Sequence, residues 1–108
     1  MDTGFSLLYV TAPSRDVAMT LAHALVGERL AACANLLGPI QSVYWWDGKV
    51  NDEPEVALIL KTRTELVPEA TERLRALHPY SCPCVVAVAI DGGNPAFLGW
   101  LAAETTRL

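Results

Sequence analysis

Three consecutive aromatic residues, Tyr44, Trp45 and Trp46, run directly into an Asp47-Gly48 pair. An Asp-Gly pair between two strand-like runs predicts a hairpin, because a two-residue primed turn needs positive φ and glycine adopts it without strain. Successive strand side chains point to opposite faces, so Tyr44 and Trp46 should share one face and Trp45 the other. So small a domain cannot bury both faces of a projecting tip, and exposed aromatic surface usually marks a contact site. We therefore predict that Tyr44, Trp45 and Trp46 form a subunit interface with other copies of this chain.

The overall composition supports self-association and argues against nucleic acid and membranes as partners. With 108 residues, the chain should form one domain spanning residues 1–108, and its 52% hydrophobic content suggests apolar surface hidden between subunits. The net charge of −4 and the scattered arginines provide no basic patch for nucleic acid. No apolar run is long enough for a membrane span, and the N-terminus lacks a basic signal-peptide head. We expect a cytosolic protein whose three cysteines are free thiols, since their number is odd.

Hydrophobic periodicity predicts four strands and three helices. Short β-rich or continuous apolar runs place strands at 5–11, 30–46, 50–61 and 85–90, with a bend at Gly38-Pro39 and an irregularity at 51–54. Apolar spacings of three and four place helices at 15–28 and from Thr64, as N-cap, to His78-Pro79. Asn94-Pro95 should begin a short third helix.

The order of these elements predicts an α+β fold. A βαββαβ order with an extra C-terminal helix is that of a ferredoxin-like antiparallel sandwich, with two helices on one face of the sheet. Right-handed crossovers place the first and third strands in the middle and the second and fourth at the edges. An exposed apolar edge strand is an aggregation liability unless another chain pairs with it, so the second strand should also contact another subunit.

Six segments of the chain resemble one known family, the CutA divalent-cation tolerance proteins, and occur in the family's order. They are Val10-Thr11-Ala12-Pro13, Glu28-Arg29-Leu30-Ala31-Ala32-Cys33-Ala34-Asn35, Tyr44-Trp45-Trp46-Asp47-Gly48-Lys49, Leu60-Lys61-Thr62-Arg63, His78-Pro79-Tyr80 and Gly93-Asn94-Pro95. The resemblance implies a ferredoxin-like homotrimer with β-pairing between subunits, a role in metal-ion tolerance, and copper or another divalent metal ion as ligand. It implies no established reaction.

Two positions depart from the family's pattern. Some members carry a cysteine where this chain has Val10, and the His-Pro-Tyr segment usually continues to Pro-Glu where this chain has Pro83-Cys84. Part of the metal chemistry that the resemblance implies is therefore altered in this chain.

His78, Cys82 and Cys84 form an H-x3-C-x-C cluster in the loop before the last strand. One imidazole and two thiolates are ligands suited to zinc or copper(I), so this loop is the candidate metal site. The spacing is not the common C-x2-C, and a second half of the site is absent. A helix-terminal histidine with two cysteines as packing residues is the alternative, and the sequence favours it.

Three further residues could line a cleft between subunits. Lys61 ends an apolar strand and Tyr80 follows a helix end. Cys33 lies in an alanine run and should be a small buried packing residue, although the resemblance leaves open a thiol that faces a cleft between subunits. A lysine and a tyrosine beside Trp46 could hold a small anion, as in trimeric regulatory proteins of the PII group, or Lys61 could simply extend to solvent.

A structural scaffold is a third interpretation. The aromatic run could also stack bases, but the acidic charge favours packing. The sequence contains no Ser-His-acid pattern and no Gly-rich phosphate loop, so it does not indicate an enzyme.

Overall fold

A four-stranded antiparallel sheet forms the centre of the computed structural model, which describes residues 2–106. The elements, in chain order, are β1 (Phe5–Ala12), α1 (Arg15–Gly27), β2 (Cys33–Trp46), β3 (Lys49–Arg63), α2 (Val67–Leu77), β4 (Val85–Ile90) and α3 (Pro95–Glu104). The spatial order is β2-β3-β1-β4, so β1 and β3 are central and β2 and β4 are edges. The predicted ferredoxin-like α+β fold is confirmed.

The core lies between one face of the sheet and the helices α1 and α2. Alternation along β1 and β3 directs Leu8, Val10, Leu58 and Leu60 to this face, where all four are fully buried. They pack in one cluster with apolar residues of α1 and α2. Each buried leucine contributes about 1.5–3 kcal/mol through removal of apolar surface from water. The opposite, outer face of the sheet carries the alternate residues of the same strands.

The predicted turn at the tip of the β2–β3 hairpin is confirmed. Asp47 and Gly48 have φ values of 54° and 76°, and positive φ at both central positions defines the primed turn. The bend at Gly38 is confirmed as well. Leu36 pairs with Leu58 while Gly38 pairs with Ala57, so Leu37 is an extra residue in β2 and the strand bulges there.

Two predicted details of the hairpin are wrong. β2 begins at Cys33 rather than residue 30, because the N–H groups of Leu30 and Ala31 both bind the carbonyl of Leu25 and close the end of α1. Residues 51–54 pair with β2 without irregularity. Pro54 is tolerated because this part of β3 pairs only with β2, so the missing N–H interrupts no second ladder.

Two of the three predicted helix N-caps are confirmed. Ser14 accepts a hydrogen bond from the Val17 N–H at 3.2 Å, and Asn94 accepts one from the Ala96 N–H at 3.0 Å. The prediction that Thr64 caps α2 is wrong. Residues 64–66 form a 3₁₀ turn, and the Thr64 hydroxyl lies 2.8 Å from that of Ser6 on β1, so it cannot cap the helix.

The helix α3 is fixed near the end of β3 by arginines. The Arg63 guanidinium donates to the Ala102 carbonyl at 2.6 Å and to the Thr105 hydroxyl at 3.1 Å. Arg29 forms an ion pair with Glu104 at 3.2 Å, and Leu101 of α3 is fully buried. Within residues 2–106, no helix combines the length and apolar character needed to cross a membrane.

Candidate functional site

The three aromatic residues before the hairpin turn are exposed in the isolated chain. The exposed fractions are 41% for Tyr44, 73% for Trp45 and 53% for Trp46. Tyr44 and Trp46 alternate with Trp45 in the regular pairing of β2 with β3, which confirms the predicted division between the two faces of the strand. Their role in a subunit interface stays a prediction.

A groove of about 600 Å³ lies on the outer face of the sheet, beneath the loop that joins α2 to β4. We call it the Glu55 groove. It is lined by Tyr9, Thr11, Ser42, Val43, Tyr44, Trp46, Glu55, Tyr80, Ser81, Cys82 and Cys84.

The register of the hairpin determines which side chains face this groove. Ile40 pairs with Glu55, and two and four residues further along β2, Ser42 and Tyr44 fall on the same face as Glu55. The loop from residue 78 to 84 then supplies the opposite wall. The groove is therefore built by residues that are distant in sequence.

Glu55 is the charged residue in the lining of the groove. The residue is only 8% exposed. Its Oε2 accepts a hydrogen bond from the Tyr80 hydroxyl at 3.1 Å. Burial, followed by this hydrogen bond, raises the pKa of Tyr80 to about 12. Glu55 is not among the residues that the sequence motifs single out. The sequence signal that could have identified it is a single carboxylate at the start of the apolar run 56–60, at a position that faces outward from the core.

His78 has a structural role in the loop. It is 7% exposed, its Nε2 lies 2.8 Å from the Thr11 carbonyl, and its Nδ1 accepts the Tyr80 N–H at 3.1 Å. Because Nδ1 is an acceptor, the proton belongs on Nε2, which donates to Thr11. Both nitrogens are then occupied and neither lone pair is available to a metal ion. His78 therefore ties the loop to β1.

Cys82 and Cys84 are exposed thiols in the wall of the groove. Burial of the sulfur and, to a lesser extent, the charge of Glu55 raise the pKa of Cys84, while the Thr11 hydroxyl lowers it. Within residues 2–106, no three His, Cys, Asp or Glu side chains come together as a group that could hold a metal ion. The three predicted ligands are thus neighbours, but one chain does not arrange them as a metal site.

The structure brings together two of the three predicted cleft residues. Cys33 pairs directly with Lys61 across β2 and β3, and burial raises the pKa of Cys33 despite the opposing effect of Lys61. The Lys61 ammonium donates to Asn35 Oδ1 at 2.9 Å. Tyr80 instead contacts Glu55, six positions from Lys61 and about 20 Å away along an extended strand. A cleft shared by all three would need more than one chain, and it stays a prediction.

Comparison with known proteins identifies one family. The family model described as CutA1 divalent ion tolerance protein matches residues 6–104. The divalent-cation tolerance protein CutA of Thermus thermophilus is 46% identical over 92% of this chain and 96% of its own length. Protein CutA 1, chloroplastic, of Oryza sativa is 44% identical over 92% of this chain, which spans only 56% of that longer relative.

Solved structures that are similar to this chain also belong to CutA proteins. A structure of CutA from Archaeoglobus fulgidus, which its description calls periplasmic, has a TM-score of 0.92 and 38% identity, covering 94% of this chain and 99% of that one. The structure of CutA1 from Oryza sativa has a TM-score of 0.93 and 41% identity, covering 99% and 98% of the two chains.

Proposed function

Because the chain belongs to the CutA1 divalent ion tolerance family, we propose that it acts in the cell's tolerance of divalent cations. The single observation that carries this proposal is the family match, which extends over residues 6–104 and so includes the whole sheet core, the hairpin and all of α3. The names of the relatives describe tolerance of ions and no reaction. The proposed function is therefore one of binding and assembly rather than catalysis.

The proposed active form is a homotrimer. Trp45 and Trp46 are more than half exposed on the hairpin, and Val86 and Val88 of the edge strand β4 are each 52% exposed. Apolar surface of this extent on a small domain supports contact with other protein surface. Both edges of the sheet also offer unpaired backbone groups, and pairing between copies would satisfy them. The number of three subunits comes from the resemblance to the family.

We place the protein in the cytosol. All three cysteines are free in the structure, two of them exposed, and a reducing compartment keeps such thiols unpaired. This proposal differs from the periplasmic description given to the Archaeoglobus fulgidus relative. Cell fractionation of the full chain, with antibody detection, distinguishes the two locations.

Copper binding is proposed only for the thiols. Soft thiolate ligands select copper(I), and Cys82 and Cys84 lie together in the wall of the Glu55 groove. His78 is excluded from this ligand set by its two hydrogen bonds. A third ligand would have to come from another subunit, so one chain alone should bind copper(I) only modestly.

Complementation tests the proposed function directly. A bacterial strain lacking its own CutA protein is transformed with this chain and grown on graded copper, zinc and cobalt salts. Wild type should restore growth at concentrations that stop the empty-vector strain. Trp45→Ala/Trp46→Ala, which removes the proposed contact surface, should not, whereas Val26→Ala, an exposed apolar change on α1, should. Equal growth with wild type and empty vector, at equal protein levels, would contradict the proposal.

A further inference from the structure

Cys82 and Cys84 are exposed thiols separated in the chain by a single residue, Pro83. Both belong to the loop between α2 and β4, and both line the same groove. The loop is anchored before them by the hydrogen bond of Tyr80 to β3, and β4 begins directly after them. The two thiols therefore share one short, accessible stretch of loop.

The spacing of these two cysteines meets the length requirement of a disulfide. The Cα atoms that a disulfide joins are roughly 4.4–6.8 Å apart. Residues i and i+2 lie at most about 7 Å apart, even in a fully extended chain. A proline between them keeps φ at about −65°, and in the polyproline II conformation that this φ favours the chain rises only about 3.1 Å per residue. Cys82 and Cys84 can therefore be joined with small changes in one loop.

The third cysteine is too distant to compete within one chain. Cys33 pairs with Lys61 across β2 and β3. Lys61 is six positions from Glu55, which lines the same groove as Cys84, and six residues of an extended strand span about 20 Å. This distance is far beyond the reach of a disulfide. An intrachain bond therefore has to join Cys82 to Cys84.

We propose that Cys82 and Cys84 form a reversible intrachain disulfide, with glutathione disulfide as the small-molecule oxidant, and that this bond closes the copper(I) site proposed above. One cysteine thiolate attacks a sulfur of the oxidant, displaces one glutathione and leaves a mixed disulfide. The second cysteine then attacks the protein sulfur and displaces the other glutathione. The two cysteines lose two electrons and two protons, and the oxidant gains them as two thiols. Excess glutathione reverses the reaction, because exposed disulfides are labile.

The consequence of this bond for copper(I) rests on the proposed copper site, whereas the bond itself does not. Thiolates are the ligands that copper(I) prefers, and a disulfide offers none. In a reducing cytosol the two thiols stay free and able to bind, and an oxidising shift removes the ligands. The disulfide needs only one loop of one chain and no residue of the aromatic hairpin, so it is also independent of the proposed assembly.

The first arm of the test detects the bond. Full-length protein is equilibrated with glutathione disulfide, freed of it, alkylated with iodoacetamide and digested with trypsin. The tryptic peptide 76–107 contains Cys82 and Cys84 without Cys33, because it has no internal lysine or arginine. In wild type and in the control Cys33→Ser, this peptide should carry no alkyl group and be two hydrogens lighter than the dithiol. Cys82→Ser and Cys84→Ser should each stop at the mixed disulfide, and excess glutathione should restore both thiols of wild type.

The second arm measures the effect on copper(I). Copper(I), supplied as its acetonitrile complex without a thiol reductant, is titrated into reduced and into oxidised wild-type protein. The oxidised form should bind about tenfold more weakly or less, and Cys33→Ser should show the same difference.

Three results would overturn the proposal. The first is a peptide 76–107 whose two cysteines stay free or each carry glutathione after oxidation. The second is a cross-link between copies in place of the intrachain bond. The third is equal copper(I) affinity of the reduced and oxidised forms. If the disulfide forms but reduced protein binds no copper(I), the result contradicts the proposed copper site and with it the regulatory role of the bond.

Discussion

The Tyr80 hydroxyl donates a hydrogen bond to Glu55 Oε2 at 3.1 Å and so connects the loop after α2 to the hairpin strand β3. One side of the Glu55 groove depends on this contact. The His78 ring, whose centroid is 4.7 Å from that of Tyr80, fixes the same loop to β1 through Thr11. The groove is therefore supported at two points by polar contacts between distant parts of the chain.

The first prediction concerns the ionisation of Tyr80. Its pKa is raised to about 12, above the ordinary value near 10, so its contribution to stability is complete below about pH 10 and is lost as the pH rises toward 12. Tyrosinate absorbance should show a component titrating near pH 12 in wild type and none there in Tyr80→Phe. Glu55→Gln should shift that component toward lower pH, because the hydrogen-bond acceptor loses its charge. A Tyr80 transition that is unchanged in Glu55→Gln would contradict the assigned contact.

The second prediction concerns the bulge in β2. Gly38 has a φ of 101°, a conformation that side chains rarely adopt, while a Cβ there would meet nothing within 4 Å. Gly38→Ala should therefore cost roughly 1–3 kcal/mol through backbone strain alone. The matched control is Gly92→Ala, where the space is equally open and φ isn't in this region, and the change should stay within about 0.5 kcal/mol. Urea denaturation measures both, and equal stabilities of the two variants would disprove the account of the bulge.

Local chemistry made much of the hairpin predictable. Asp47-Gly48 specifies a primed turn, and Gly38-Pro39 marks the bend, because each depends on the backbone preferences of adjacent residues. The roles of Glu55 and His78 were not predictable in this way. Their partners, Tyr80 and Thr11, lie 25 and 67 positions away along the chain, and strand periodicity gives the face of a residue but not the loop that covers it.

The third prediction concerns copper. Reduced wild-type protein should bind copper(I) through the thiols of Cys82 and Cys84, and binding should weaken as the pH falls, because each thiolate competes with a proton. The raised pKa of Cys84 makes this competition stronger. Cys82→Ser/Cys84→Ser should lose binding in a calorimetric titration.

His78 provides the control for the copper titration. His78→Ala removes a buried ring with two hydrogen bonds and should lower the free energy of unfolding by about 1–3 kcal/mol. The folded variant should nevertheless keep the copper(I) stoichiometry of wild type. Loss of copper(I) binding by folded His78→Ala would show that the imidazole leaves Thr11 to become a ligand, and would restore the three-residue site.

The most direct test of the account is the mass of the protein in solution. Light scattering coupled to gel filtration, at micromolar concentration, should give three times the chain mass of 11.7 kDa for wild type and for the Val26→Ala control. Trp45→Ala/Trp46→Ala should shift the mass toward that of one chain, because each ring buried between subunits contributes about 3 kcal/mol or more. A wild-type peak at 11.7 kDa, or a trimer unaffected by loss of both tryptophans, would contradict the claim that the aromatic hairpin holds the assembly together.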